Sequence, residues 1–137
     1  MMQAHGGGVI KSGDTYYWFG EDKSHNSALF KAVSVYASKD LIQWEFRNQA
    51  LTIASDPANL TNAKIERPNV MYNEKTKKYI MWGHWEVGSN YNEANAYVAV
   101  SDTVVTESVY GSTAPTCGIH TQCERKLLDR IVDYIVV

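Results

Sequence analysis

The sequence contains an internal repeat of strand-like segments. Three pairs of matching residues lie at nearly the same separation, 64, 65 and 63 residues: Trp18 and Trp82, Glu21 and Glu86, Ser38 and Ser101. Repeated four-stranded antiparallel sheets joined by turns are typical of β-propeller blades, whose edges are covered by neighbouring blades. The repeat therefore predicts an all-β chain with two four-stranded blades, too few to close a ring. A β-sandwich with chance similarity is the alternative.

The strand-like segments follow one another in the same order in both halves. In the first half, residues 9–11 and 15–19 flank the turn signal of residues 12–14, which predicts a β-hairpin. Two further runs, 32–37 and 44–46, precede a polar segment from about 48 to 64 that is predicted to be a loop. The second half has its strand-like runs at 69–72, 78–83 and 96–102.

The composition is that of an ordinary globular chain. Of 137 residues, 45% are hydrophobic and 20% are charged, which excludes disordered, collagen-like and coiled-coil chains. The formal net charge of -2 provides no basic surface, so nucleic acid and anionic membranes are not expected partners. The sequence has no signal-peptide pattern at its start and no stretch of the ~18 apolar residues that a membrane span requires. Aromatic residues make up 12% of the chain, a proportion that suits β-structure and contact with sugars.

Acidic residues lie at corresponding strand ends of the two halves. Glu21 follows the second strand-like run, and Glu66 with Arg67 precedes the first run of the second half. A glycosidase needs one carboxyl group to protonate the leaving oxygen, a second to activate water or attack, and further carboxylates that adjust their pKa values. Glu21 and Glu66 are candidates for such a cluster, and Arg67 for binding a sugar hydroxyl or Glu66. The alternative is a structural surface ion pair.

Other motifs give weaker indications. His5 precedes three glycines, but no P-loop Lys-Ser/Thr follows, so close backbone packing is expected there. Cys117, His120 and Cys123 lack a fourth zinc ligand at suitable spacing, so no metal site is expected, and a Cys117–Cys123 disulfide is left open. His84 is a lone histidine for which a loop or core position is expected.

Several motifs in the correct order resemble one enzyme family. They are residues 3–8 (QAHGGG), 16–23 (YYWFGEDK), 33–41 with 44–46 (VSVYASKDL and WEF), 65–68 (IERP) and 81–85 (MWGHW). These segments are similar to the galactan 1,3-β-galactosidases of glycoside hydrolase family 43. The resemblance covers about residues 3–102.

This resemblance implies a five-bladed β-propeller enzyme of which the chain holds about the first two blades. Such an enzyme removes galactose from the non-reducing end of the β-1,3-galactan backbone of arabinogalactan, with inversion at the anomeric carbon. The implied domain organisation is a partial propeller domain over residues 1–110 and a divergent tail over 111–137. The parent enzyme is expected to be extracellular and to need no cofactor, although some relatives hold an axial calcium ion.

The resemblance also implies roles for individual residues. Glu66 would hold the terminal galactose and adjust the pKa of the catalytic acid, and Glu21, Arg67 and Tyr91 would line the same subsite. Gln3 and His5 occupy the stretch that carries a catalytic aspartate elsewhere in the family, and they are predicted to contact substrate.

The catalytic acid of this family is a glutamate of the third blade, and no residue of this chain matches it. The chain alone is therefore expected to be inactive. Two alternatives remain open: a carbohydrate-binding module in which Trp82, Trp85 and Tyr91 stack on sugars, and a truncated product whose blade edges pair with another chain.

Overall fold

In the computed structural model, each half of the chain forms its own antiparallel meander. The structure describes residues 1–88 and 90–105 and the backbone of 110–115. The first sheet has the order β1-β2-β3-β4 and the second the order β5-β6-β7-β8, as the internal repeat predicts. The strands are β1 (Val9–Ser12), β2 (Thr15–Glu21), β3 (Ala32–Ser38), β4 (Glu45–Thr52), β5 (Ala63–Asn73), β6 (Lys78–Val87), β7 (Asn95–Ser101) and β8 (Tyr110–Pro115).

The predicted hairpin forms β1 and β2. Ser12 and Thr15 are the last paired residues, so Gly13 and Asp14 make a two-residue turn. Gly13 has a φ of 60°, a left-handed conformation that favours glycine and matches the twist of the two strands. The turn thus sets the register of the first sheet.

The prediction of a loop over residues 48–64 is wrong at both ends, where the structure has strands. β4 continues to Thr52 because Ala50 and Leu51 are buried in the core, and β5 begins at Ala63, which is also buried. Between these strands lie a 3₁₀ turn, Ile53–Ser55, and a short helix α1, Pro57–Leu60. The Asp56 side chain accepts a hydrogen bond from the Asn59 N–H and caps the helix, whose first residue is a proline.

The hydrophobic core lies between the two sheets. Its buried side chains come from the six strands β2 to β7 and from α1: Phe19, Val33, Val35, Leu51, Leu60, Ile65, Met81, Tyr97 and Ala99. Burying this apolar surface is the main force that holds the sheets face to face. The sheet packing brings the end of β2 beside the first half of β5.

The glycine-rich start of the chain packs closely against both sheets, as expected. The Phe19 N–H donates to the carbonyl of Gly8 at 2.9 Å, and the Gly8 N–H donates to the carbonyl of Pro68 at 3.1 Å. A side chain at Gly7 or Gly20 would overlap the backbone of Phe19 or Ala4 respectively. The segment therefore bridges β2 and β5 by backbone contacts that need glycine.

The fourth strand of the second sheet, β8, extends beyond residue 110 and pairs with β7. The division into a propeller domain over 1–110 and a tail over 111–137 remains a prediction. Cys117, His120 and Cys123 lie outside the described residues. Among the residues that the structure describes, no helix is long and apolar enough to cross a membrane.

Candidate active site

Glu21 links the rim of the first sheet to the second. It is the last residue of β2, is 7% exposed, and accepts a hydrogen bond on Oε1 from the backbone N–H of Arg67 at 3.1 Å. Its Oε2 lies 2.6 Å from the Lys23 ammonium. The carboxylate thus has both a backbone donor and a cation beside it in a largely dry position, which offsets the cost of its burial.

The second sheet is distorted where it meets Glu21. The register of β5 and β6 shifts between Glu66 and Asn69, and Arg67 has a φ of 53°. Left-handed backbone at a residue other than glycine is uncommon and often marks a functional position. The distortion points the Arg67 N–H at Glu21 and leaves the Arg67 side chain exposed.

Four polar side chains on one face of the second sheet form a patch beside this distortion. We call it the polar platform: Lys64 and Glu66 of β5, His84 and Glu86 of β6. Lys64 pairs with Glu86 and Glu66 pairs with His84 in the antiparallel register. Since residues two apart share one face of a strand, the two rungs place all four side chains on one side of the sheet.

Tyr91 lies over the polar platform. Its hydroxyl donates to Glu66 Oε1 at 2.6 Å, the Lys64 ammonium lies 3.6 Å from its ring centroid, and its ring meets that of His84 edge-on at 6.0 Å. The hydrogen bond to Glu66 is the main cause that raises the pKa of Tyr91. The residue is nevertheless 58% exposed, so its outer side is open to a ligand.

Glu86 is the most deeply buried member of the platform, with 1% of its surface exposed against 3% for Lys64. It accepts hydrogen bonds from His84 Nε2 at 2.6 Å and from the backbone N–H groups of Glu93 and Ala94, each at 2.9 Å. The bond from His84, followed by those from the backbone, lowers the pKa of Glu86. Sequence reasoning missed this pair and treated His84 as isolated. The signal was the His-x-Glu spacing within a strand, which places both side chains on one face.

Gln3 and His5, which were both predicted to contact substrate, lie in different surroundings. His5 is exposed and exchanges two backbone hydrogen bonds with Glu21, so it lies at the cluster. The Gln3 backbone N–H donates to the Tyr36 hydroxyl at 2.9 Å. Among the described residues, no hydrogen-bond partner is found for the buried Gln3 Oε1. The structure thus brings together Glu21, Glu66, Arg67, Tyr91 and His5, whereas the contacts of Gln3 lead to β3.

The tryptophans of β6 have different environments. Trp85 packs on the core, and its Nε1 donates to the carbonyl of Asn59 at 2.7 Å, which is a structural contact. Trp82 lines an open cavity of about 460 Å³ together with Arg67, His84 and Ala94. Within the part of the chain that the structure describes, no group of His, Cys, Asp and Glu side chains is arranged to hold a metal ion.

Solved structures of galactan-cleaving enzymes resemble this chain. An exo-β-1,3-galactanase from Clostridium thermocellum is 48% identical, with a TM-score of 0.77 over 82% of this chain and 24% of its own. A variant of the Phanerochaete chrysosporium exo-β-1,3-galactanase, crystallised with β-1,3-galactotriose, is 46% identical, with a TM-score of 0.78 over 83% of this chain and 26% of its own. The match confirms the resemblance to glycoside hydrolase family 43.

A third family 43 structure is a β-1,3-galactosidase with galactodeoxynojirimycin. It is 33% identical, with a TM-score of 0.76 over 82% of this chain and 34% of its own. The predicted fold class, two blades of a five-bladed propeller, is confirmed. The chain spans about a quarter to a third of the length of these family 43 enzymes. No protein-family model and no curated protein matches the chain.

Proposed function

We propose that this chain forms part of the galactose-binding surface of an exo-acting galactan 1,3-β-galactosidase. The observation that carries the proposal is the arrangement of Glu21 and Glu66 at one rim of the two sheets. Arg67 N–H fixes Glu21, and the Tyr91 hydroxyl fixes Glu66. Similarity to galactanases crystallised with galactose and β-1,3-galactotriose supports this choice of sugar.

In this proposal Glu66 holds the terminal galactose and adjusts the pKa of the catalytic acid. A carboxylate accepts hydrogen bonds from sugar hydroxyls, and its negative charge disfavours ionisation of a neighbouring carboxylic acid. Glu21 contributes a second negative charge, while Arg67 and His5 offer donors at the same rim. Tyr91 provides an aromatic surface and a hydroxyl next to Glu66.

The proposed reaction is hydrolysis of β-1,3-galactan, including the backbone of arabinogalactan, with inversion at the anomeric carbon. Inverting glycosidases require a general acid and a general base. We propose that a further blade supplies the acid, so that the 137-residue chain binds galactose without cleaving galactan. Joining the chain to the remaining blades of the similar Clostridium enzyme should restore galactose release, and NMR of the first product would identify its anomer.

Binding of galactose to the 137-residue chain is the direct test. We expect titration with galactose to shift the amide NMR signals of Glu21, Glu66 and Tyr91. Glucose, which differs from galactose only in the configuration at C4, should shift these signals less. Glu66→Gln should weaken galactose binding, whereas the exposed control Glu74→Gln, on the β5–β6 turn, should not. Equal shifts with both sugars, or none with galactose, would contradict the proposal.

The cavity beside Trp82 favours a second candidate, sugar binding without catalysis. Trp82 is half-buried and lines this open cavity with His84 and Arg67, so a sugar face could stack there. Loss of galactose binding in Trp82→Ala but not in Glu66→Gln would favour this function. A chimera that binds galactose but never releases it from galactan would do the same.

A further inference from the structure

One buried carboxylate holds the loop between β6 and β7. Glu86 Oε2 accepts the N–H of Glu93 and Glu86 Oε1 accepts the N–H of Ala94, both at 2.9 Å. A carboxylate buried to this degree is costly unless donors surround it. The loop satisfies Glu86 only in the conformation that directs these two N–H groups inward.

The backbone of the loop gives a second, independent observation. Ala94 has a φ of 48°, a left-handed conformation that costs energy for a residue with a Cβ. Strained backbone of this kind persists where surrounding interactions determine it. The hydrogen bond from the Ala94 N–H to Glu86 is such an interaction, and it lies at the strained residue itself.

The loop carries Tyr91, whose side-chain contacts all lie on its inner side. More than half of the Tyr91 surface is exposed, and the side chain lies over Lys64 and Glu66 only at its inner side. An exposed side chain keeps a single orientation at low entropic cost when its backbone is already fixed. Glu86 fixes that backbone two and three residues after Tyr91.

We propose that Glu86 is a positioning residue, which holds Tyr91 over Glu66 and thereby sets the affinity for the terminal sugar. This inference rests on the proposed function and adds a residue that does not itself touch the sugar. His84 also helps to position Tyr91, because it donates to the same carboxylate and meets the Tyr91 ring edge-on.

Hydrogen exchange tests the positioning role without any sugar. In the wild-type chain, the amides of Glu93 and Ala94 should exchange at least about tenfold more slowly than that of exposed Asn92, because only the first two are bound by Glu86. Glu86→Gln replaces one acceptor oxygen with an NH₂ group, and it should speed exchange at Glu93 or Ala94 by about threefold to tenfold. Glu93→Gln, which removes an exposed charge from the same loop, is the matched control and should leave the rates unchanged. Unprotected Glu93 and Ala94 amides in the wild type would overturn the proposal, even if Glu86→Gln did not fold.

Galactose affinity then tests whether the loop position matters for binding. Glu86→Gln should raise the galactose Kd by about threefold to tenfold, which corresponds to the loss of one hydrogen bond. In a Tyr91→Ala background the same substitution should change the Kd less than about twofold, because Glu86 acts through Tyr91. Equal effects in both backgrounds would overturn the positioning role.

The two proposals fail in different ways. If the wild-type chain binds no galactose but Glu86→Gln releases the loop amides, the proposed function is wrong and the role of Glu86 in holding the loop stands. If galactose binds and Glu86→Gln changes neither amide exchange nor Kd, the positioning role is wrong and the proposed function stands.

Discussion

The backbone N–H of Arg67 donates to the Glu21 carboxylate at 3.1 Å and joins the two sheets across 46 residues of sequence. The donor is available because the β5 distortion at Arg67 removes its N–H from the ladder. The acceptor is the side chain of Glu21, the last residue of β2. The candidate site is therefore built where the distorted part of β5 meets the end of β2.

Glu21→Ala should lower the free energy of unfolding by about 1–3 kcal/mol, because it leaves the Arg67 N–H without its acceptor. Glu21→Gln keeps one acceptor oxygen and should lose less than half of that amount. Urea denaturation of both variants measures the difference. Glu74→Ala is the control, since its ion pair with Lys77 is exposed and contributes little to stability. A Glu21→Ala chain as stable as that control would show that the bond is not structural.

Gly20→Ala should destabilise the chain by about 1–3 kcal/mol or more, because its Cβ would overlap the backbone of Ala4. Backbone atoms cannot rotate away, so the first residues of the chain would have to leave β2. Gly13→Asn is the control: nothing lies within 4 Å of its Cβ, and asparagine tolerates a positive φ. Thermal unfolding monitored by circular dichroism compares the two. Similar midpoints would contradict the close packing.

Stability should fall at acid pH in a way that depends on Glu86. The hydrogen bond from His84 and those from the loop backbone lower the pKa of Glu86 from its ordinary value of 4.5. A lowered pKa in the folded chain means that its contribution to the free energy of unfolding is complete above pH 4.5 and is lost as the pH falls through the folded value.

Urea denaturation at several values between about pH 6 and about pH 3 measures this loss. The wild-type chain should lose more stability over that range than Glu86→Gln, which has no proton to gain at this position. Glu93→Gln serves as the control and should follow the wild type. Parallel curves for the wild type and Glu86→Gln would rule out this origin of the acid sensitivity.

The architecture could be predicted from the sequence because it depends on local patterns and on their repetition. The turn signal at Gly13 and the match of Trp18 with Trp82 are sufficient to predict two four-stranded sheets. The end of β4 and the start of β5 could not be predicted, because both lie in a segment that was interpreted as a polar loop. Leu51 and Ile65 in this segment are buried only by contact with the facing sheet. Burial by a distant segment is not visible in a local window.

The residues of the candidate site could be predicted from local motifs, whereas their contacts could not. Glu21 and Glu66 stand in recognisable motifs, but their partners depend on the pairing register and on the backbone distortion at Arg67. The internal repeat matches Glu21 with Glu86, and the two side chains have similar roles in the structure. Glu21 accepts one backbone N–H and Glu86 accepts two, in each case from a segment beyond its own strand.

Glu66→Gln should separate sugar binding from stability. The Gln side chain keeps an oxygen that can accept the Tyr91 hydroxyl, so the free energy of unfolding should change by less than about 1 kcal/mol. The loss of negative charge weakens hydrogen bonds from sugar hydroxyls, and the galactose Kd should rise by about tenfold. In the chimera with the remaining blades, turnover should fall by orders of magnitude, because the proposed function assigns the pKa adjustment of the catalytic acid to this charge. Tyr91→Phe removes the hydrogen bond that Glu66→Gln keeps, but it retains the Glu66 charge, so it should keep much more turnover than Glu66→Gln. Equal losses of turnover in the two variants would contradict the assignment of this effect to the charge of Glu66.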